Sequence, residues 1–442
     1  MLPIQKKLQH KLQQSHEILL IIFIGLSAMM TYFCMYAYRK PFSVATYEGV
    51  ESVFSALDYK TLLVVSQVAG YALSKFIGIK IISEMTAVKR GVSLLLMIGL
   101  AQFALVAFAL LPAPWNVLAI FCNGLPLGMI WGLVFGYLEG RKVTEALGVI
   151  LGVSLIFSSG VVKSIGRYLL IEWQVPEFWM PATIGLLFSP LLLLSVLGLS
   201  CVPAPSLADM ALRQQRIPLN RQQRWAFFKD YAPGLTLLVA CYILLTSLRE
   251  FIDNFSVEIF TAMGYADSSI IYTSTILPVT LAVLFSMLLM MFIKNNLYAL
   301  QINLLMVSCG FAMLIFSTLV FEWQWISGIS WMVLVQMGIY FGFMPFNCTL
   351  FDRLVAATPN LANAGFLMYI ADSGGYVGSI SIMLYRALFE SELQWLDFVL
   401  HISFVAGIIG FSAMLLAMTF FELRLGQGLP VKLRKKNKQW VE

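Results

Sequence analysis

The sequence predicts an all-helical protein embedded in a membrane, with about twelve spanning helices arranged as two pseudo-symmetric groups of six. Three observations carry this. Hydrophobic residues make up 60% of the chain and charged residues only 12%, whereas a soluble domain carries about 25% charge. Apolar runs of about 20 residues, the length that crosses a bilayer as a helix, recur from Ile18 to Phe421. The runs are continuous rather than alternating, which selects helices over a barrel.

In order, the spans fall at roughly 17–38, 57–79, 90–111, 115–138, 145–168, 178–201, 232–260, 268–293, 297–320, 325–350, 362–386 and 397–422. The first follows Lys6-Lys7. Its apolar run, Ile18 to Phe33, is too long for a signal peptide and no small-x-small cleavage site follows, so it reads as a span. In span 4, glycine recurs at 124, 128, 132, 136 and 140, a row along one face that lets another helix approach closely. Gly148, Gly152 and Gly160 form a similar row in span 5, and Gly374, Gly375 and Gly378 cluster in span 11.

Between spans 6 and 7 the chain turns polar and basic, with Arg213, Arg216, Arg221, Arg224 and Lys229. This divides it into a first bundle (1–202), a linker (203–230), a second bundle (231–423) and a basic tail (424–442). With the N-terminus inside, the inner loops and tails hold about three times as many Lys and Arg as the outer ones. Both termini and the linker are therefore expected in the cytoplasm, the membrane being a bacterial inner membrane. The run Lys432, Arg434, Lys435, Lys436 and Lys438 reads as a topology anchor that also suits anionic lipid. Nucleic acid is not an expected partner.

Six cysteines, at 34, 122, 201, 241, 309 and 348, occur singly, and the three histidines, at 10, 16 and 401, lack ligand spacing. No metal, disulfide framework or cofactor is expected. No nucleophile–base pair suggests an enzyme.

Charges within spans are costly and mark cavities or partners. Arg249 follows only the stretch from Ala232 to Leu248, ~25 Å of helix, so it sits at membrane depth or at its shoulder. Glu250 and Asp253 lie beside it as possible ion-pair partners. Arg39 lies ~32 Å beyond Ile18 and by counting alone also reads as a boundary anchor. Lys75 is embedded in span 2 with no adjacent acid. Asp372, beside Ser373-Gly374-Gly375, is either a proton or cation site or the partner of a basic residue. Glu139 belongs to the inner end of span 4, and Lys163 and Arg167 read as anchors at the end of span 5. If the halves are repeats, Arg39 and Arg249 occupy matching places late in spans 1 and 7. Two guanidinium forks facing each other across such an interface suit a phosphate or carboxylate. Lys40 is set aside, because its neighbour fills the matching position.

Three stretches resemble the organophosphate:phosphate antiporter branch of the major facilitator superfamily. Tyr36-Ala37-Tyr38-Arg39-Lys40-Pro41-Phe42 is similar to its first-helix Tyr-x-x-Arg-Lys-x-Phe, and Tyr71-Ala72-Leu73-Ser74-Lys75-Phe76 to its second-helix motif. Leu248-Arg249-Glu250-Phe251-Ile252-Asp253 is similar to its seventh-helix pattern. The loop after span 2, Ser83-Glu84-Met85, departs from the branch, as does Lys294-Asn295-Asn296 after span 8. The resemblance implies the major facilitator fold, and anion binding by Arg39 and Arg249 with Lys75 adding charge. Tyr36, Tyr38 and Tyr71 join these as substrate-site residues, and Asp372, Glu139, Glu250 and Asp253 as coupling or ion-pair residues. The expected function is secondary transport of an organic anion, a phosphorylated metabolite exchanged for phosphate by alternating access, in a monomer. The alternatives are a proton-coupled symporter or exporter using Asp372 or Glu139, and a transporter-like sensor of a phosphorylated ligand.

Overall fold

The structure, a computed structural model, describes residues 9–14, 16–54, 57–83, 87–141, 143–205, 221–358 and 364–426. In the first half the long helices are α1 (Glu17–Arg39), α2 (Tyr59–Ser83), α3 (Ala87–Leu110), α4 (Asn116–Leu127, continued by Ile130–Leu138), α5 (Thr144–Ile171) and α6 (Met180–Ser200). In the second they are α7 (Arg221–Asn254), α8 (Ile271–Met290), α9 (Asn296–Glu322), α10 (Gly328–Pro345), α11 (Ala364–Phe389) and α12 (Trp395–Gly426). Among the described residues, ten helical stretches are long and apolar enough to cross a membrane. Of the twelve long helices, the two outside that ten are α2 and α11. They are 25 and 26 residues long, and they carry Lys75 and Asp372. The polytopic, all-helical fold read from the sequence is the one observed.

The span limits differ where local chemistry intervenes. α4 breaks at Gly128–Met129, just past Pro126, whose ring removes an N–H from the helical ladder. α7 starts at Arg221, inside the stretch read as linker, and ends at Asn254. A separate short helix, Ser256–Ala262, follows it. α10 passes through a π-type turn, Phe346–Leu350, into a further helix, Phe351–Ala357. Residues 206–220 of the linker, Glu84 and the basic tail from 427 onward lie outside the described residues.

The halves repeat one packing pattern. α1 packs on α5 and α6, α2 on α4, and α3 on α4 and α6. Six helices later, α7 packs on α11 and α12, α8 on α10, and α9 on α10 and α12. The halves meet where α2 lies against α11 and α5 against α8, contacts related by the same shift. At α5–α8 the approach requires glycine. A Cβ on Gly160 would overlap the Ile276 side chain and sit 2.6 Å from the Tyr272 carbonyl oxygen. Apolar side chains point outward on α3 (Leu96, Leu100, Phe103), α6 (Leu193, Leu194) and α12 (Leu415, Leu416). In a multi-pass membrane protein these faces meet lipid.

Candidate functional site

The site is built first on how α1 ends. Pro41 cannot donate to the helix, so α1 stops at Arg39 and a short 3₁₀ turn, Pro41–Val44, follows. The carbonyls left over at that end are met by neighbours. Gln67 Nε2 on α2 donates to the Arg39 carbonyl at 2.7 Å. Asn123 Nδ2 on α4 donates to the Tyr38 carbonyl at 3.1 Å and to the Ala101 carbonyl at 3.1 Å. Gln67 and Asn123 also bond each other at 2.8 Å. Three helices of the first half thus fix the backbone that presents Arg39 and Lys40.

The end of α7 is fixed by aromatic packing. Phe251 and Phe255 lie 5.0 Å apart between ring centroids, and Trp395 of α12 stacks 4.6 Å from Phe255. This sets the face of α7 that carries Arg249, Glu250 and Asp253 toward α1 and α5.

Arg39 and Arg249 converge on one atom. Glu250 Oε1 accepts from Arg39 Nη2 at 3.2 Å and from Arg249 Nη2 at 2.7 Å. Glu250 Oε2 accepts from Lys40 Nζ at 3.1 Å and Asn254 Nδ2 at 3.3 Å. One layer along, Asp253 takes Lys40 Nζ on Oδ2 at 2.6 Å and Lys163 Nζ on Oδ1 at 2.6 Å. Ser159 donates to that same Oδ1 at 2.5 Å. Lys60 and Glu258 close the layer beyond, 2.5 Å apart. Across the α2–α11 contact, Lys75 Nζ sits 3.0 Å from Asp372 Oδ2, and the Tyr242 hydroxyl donates to Asp372 Oδ1 at 3.1 Å.

Aromatic faces complete the arginine environments. The Arg39 guanidinium lies 4.1 Å from the Tyr71 ring centre and 5.8 Å from Tyr36, and Arg249 lies 4.4 Å from Phe343. Both arginines keep a buried Nε with no hydrogen-bond partner among the described residues. Beside Arg249, a cleft of about 440 Å³, including the solvent at its mouth, opens between α5, α7, α8 and α10. Ser159, Lys163, Asp253, Thr275, Gln336 and Tyr340 are among its lining residues.

The named cluster holds five cations (Arg39, Lys40, Lys75, Lys163, Arg249) and three carboxylates (Glu250, Asp253, Asp372). Two positive charges are left over in a largely buried region. Uncompensated buried charge is strongly disfavoured, so the geometry suits a ligand carrying negative charge.

Several residues read from the sequence meet here: Arg39, Arg249, Lys75, Tyr36, Tyr71, Glu250, Asp253 and Asp372. Others do not. Tyr38 faces away, because one residue along a helix turns the side chain by about 100°, and its hydroxyl meets Ser189 Oγ of α6 at 3.0 Å. Glu139 caps the α4 extension, outside the central cluster. Sequence reasoning undervalued two residues. Lys40, set aside, is almost fully buried and touches Glu250, Asp253 and Asn254. Lys163, read as an anchor, is buried against Asp253. Its place comes from the fold: Lys163 lies three residues beyond Gly160, one turn along the tight α5–α8 contact.

Residues 41–424 match a family model described as "Family of unknown function (DUF5690)". The chain belongs to that family. No curated protein matches the sequence. Among solved structures, the chain is similar to a D-xylose-proton symporter at 16% identity and a TM-score of 0.59, covering 90% of this chain and 98% of that one. It is also similar to a bacterial homolog of the human lysosomal transporter Spinster, in an inward-facing, unoccupied conformation. That match has 10% identity and a TM-score of 0.60, covering 92% of this chain and 98% of that one. This DUF5690 member therefore has the major facilitator fold, and the match to both folds extends over both six-helix halves.

Proposed function

We propose that this protein is a secondary transporter of a small organic anion, with a phosphate ester the first candidate, working by alternating access between its two halves. The supporting observation is the meeting of Arg39 and Arg249, from helices related by the internal repeat, at one buried point between the halves. Guanidinium forks bind phosphate and carboxylate bidentately, and each arginine retains an unpartnered buried Nε. The surplus positive charge of the cluster favours a dianion over a neutral sugar. Exchange of a phosphorylated metabolite for phosphate is the transport mode that the motif resemblance suggests. Sugar-symporter and Spinster-like neighbours are consistent with a carrier rather than an enzyme.

The test is reconstitution into liposomes with a panel of labelled phosphate esters and carboxylates. Saturable uptake of an anion, lost in Arg39→Ala and Arg249→Ala with normal membrane insertion, is expected. Uptake confined to neutral solutes would end the reading. Proton coupling through Asp372 is the second reading, favoured by its half-buried pair with Lys75 across the halves. Uptake abolished by collapsing the proton gradient, with no dependence on internal phosphate, would select it. The protein is proposed to work as a monomer in a bacterial inner membrane with both termini cytoplasmic. Protease access to the basic tail in oriented vesicles checks the orientation.

A further inference from the structure

Glu250 occupies the point where a ligand oxyanion would sit. One of its oxygens bridges Arg39 and Arg249 across the halves, and the other is held by Lys40 and Asn254. Asn254 Nδ2 also donates to the Glu250 carbonyl at 2.8 Å, so the tether is anchored on the same helix. The carboxylate is 1% exposed. A carrier whose centre held only arginines would close only when loaded, because facing cations in a dry interface repel. Such a carrier is confined to exchange.

We propose that Glu250 is a built-in counter-anion that lets the empty carrier close and return, so that the protein performs net transport of its anion and not exchange alone. This rests on the anion-clamp reading above. The internal carboxylate supplies in the empty state the attraction that the ligand supplies in the loaded one. When ligand enters, its oxygens take the arginine donors, including the two Nε groups that Glu250 leaves unused. Lys40 and Asn254 keep hold of the other Glu250 oxygen, so the carboxylate swings aside without losing all its partners. The two states then differ in which oxyanion bridges the halves, and a ligand shifts the equilibrium only by its differential affinity for them.

The experiment uses the full chain in liposomes with labelled inorganic phosphate as probe, alongside hydrogen exchange of the same preparations without any anion. Wild type is expected to take up phosphate into both phosphate-loaded and phosphate-free liposomes. In Glu250→Gln, the ratio of uptake into phosphate-free liposomes to uptake into loaded ones falls at least tenfold. Without anion, residues around Arg39 and Arg249 exchange several-fold faster in Glu250→Gln than in wild type. Adding phosphate slows them again. The double variant Arg249→Gln/Glu250→Gln, which removes a cation with the anion, recovers protection and separates charge imbalance from misfolding. Wild-type uptake only into loaded liposomes, or equal exchange in wild type and Glu250→Gln, overturns the proposal. If wild type moves no phosphate but Glu250→Gln still loses protection, phosphate fails as the ligand while the counter-anion role stands.

Discussion

The first half of the chain and the second repeat one helix packing, yet they bring opposite charges to the surface where they meet. Arg39, Lys40, Lys60, Lys75 and Lys163 come from the first half, and their partners Glu250, Asp253, Glu258 and Asp372 from the second. Arg249 departs from that division and stands among its own half's carboxylates. At the opposite end of the interface the polarity reverses. Glu145 at the start of α5 pairs with Arg353 beyond α10 at 3.1 Å, and Arg353 also donates to Asn296 at 2.8 Å. The two ends differ in burial as well: Glu250 is 1% exposed and Glu145 is 48% exposed. The repeated scaffold decides where the halves touch, and the unequal charges decide how firmly each end is shut. Buried, multiply bonded pairs hold the Arg39 end, and a half-wet pair holds the other.

That contrast is open to direct attack. The largest stability effect is expected from Asp253→Asn, which strips Lys163 of its carboxylate and leaves Lys40 with Glu250 alone. A loss of about 3–5 kcal/mol is expected from breaking a buried pair, read as a lowered melting midpoint in detergent. A change within error would mean the Arg39 end is not held by charge. Next, Arg39→Ala or Arg249→Ala is expected to weaken anion affinity at least 30-fold, from about 2–5 kcal/mol for truncating a buried charge contact. The lysine variants keep the charge but lose the fork, and a drop of about tenfold is expected. Lys75 and Asp372 are about one-fifth exposed, so solvent screening should hold the cost of Asp372→Asn to about 1–2 kcal/mol. The swap Lys75→Asp with Asp372→Lys should recover most of that loss, and failure to do so would point to a role beyond pairing. The smallest effect belongs to Glu145→Gln, at about 0.2–1 kcal/mol and fading with added salt. A large effect there would erase the difference between the ends.

Much of this was legible in the residues. Continuous apolar runs placed the helices, because in lipid the backbone has few other ways to satisfy its polar groups. Arg39, a boundary anchor by counting alone, stood out through its matching place with Arg249 late in the first span of each half and through the branch motifs. Three things were not legible. Whether Lys163 lay at a boundary or in the centre depended on the tilt and depth of α5, which α8 sets through Gly160. Lys40 was hidden by the assumption that one cation fills one matching position, whereas the turn at Pro41 lets two neighbours reach the same carboxylate. Glu145 and Arg353 are far apart in sequence and lie outside the branch motifs, so only the fold pairs them.

One ring ties the two interfacial contacts together. Tyr71 lies under Arg39 at 4.1 Å and near Lys75 at 5.4 Å, with Tyr376 of α11 at 5.2 Å on its flank. The Arg39–Glu250 and Lys75–Asp372 pairs therefore share a hinge pin. Releasing one changes the footing of the other, so the two pairs should give way together rather than independently. In a double-mutant cycle, the two pairs should show a coupling of about 0.5–3 kcal/mol that vanishes in Tyr71→Leu.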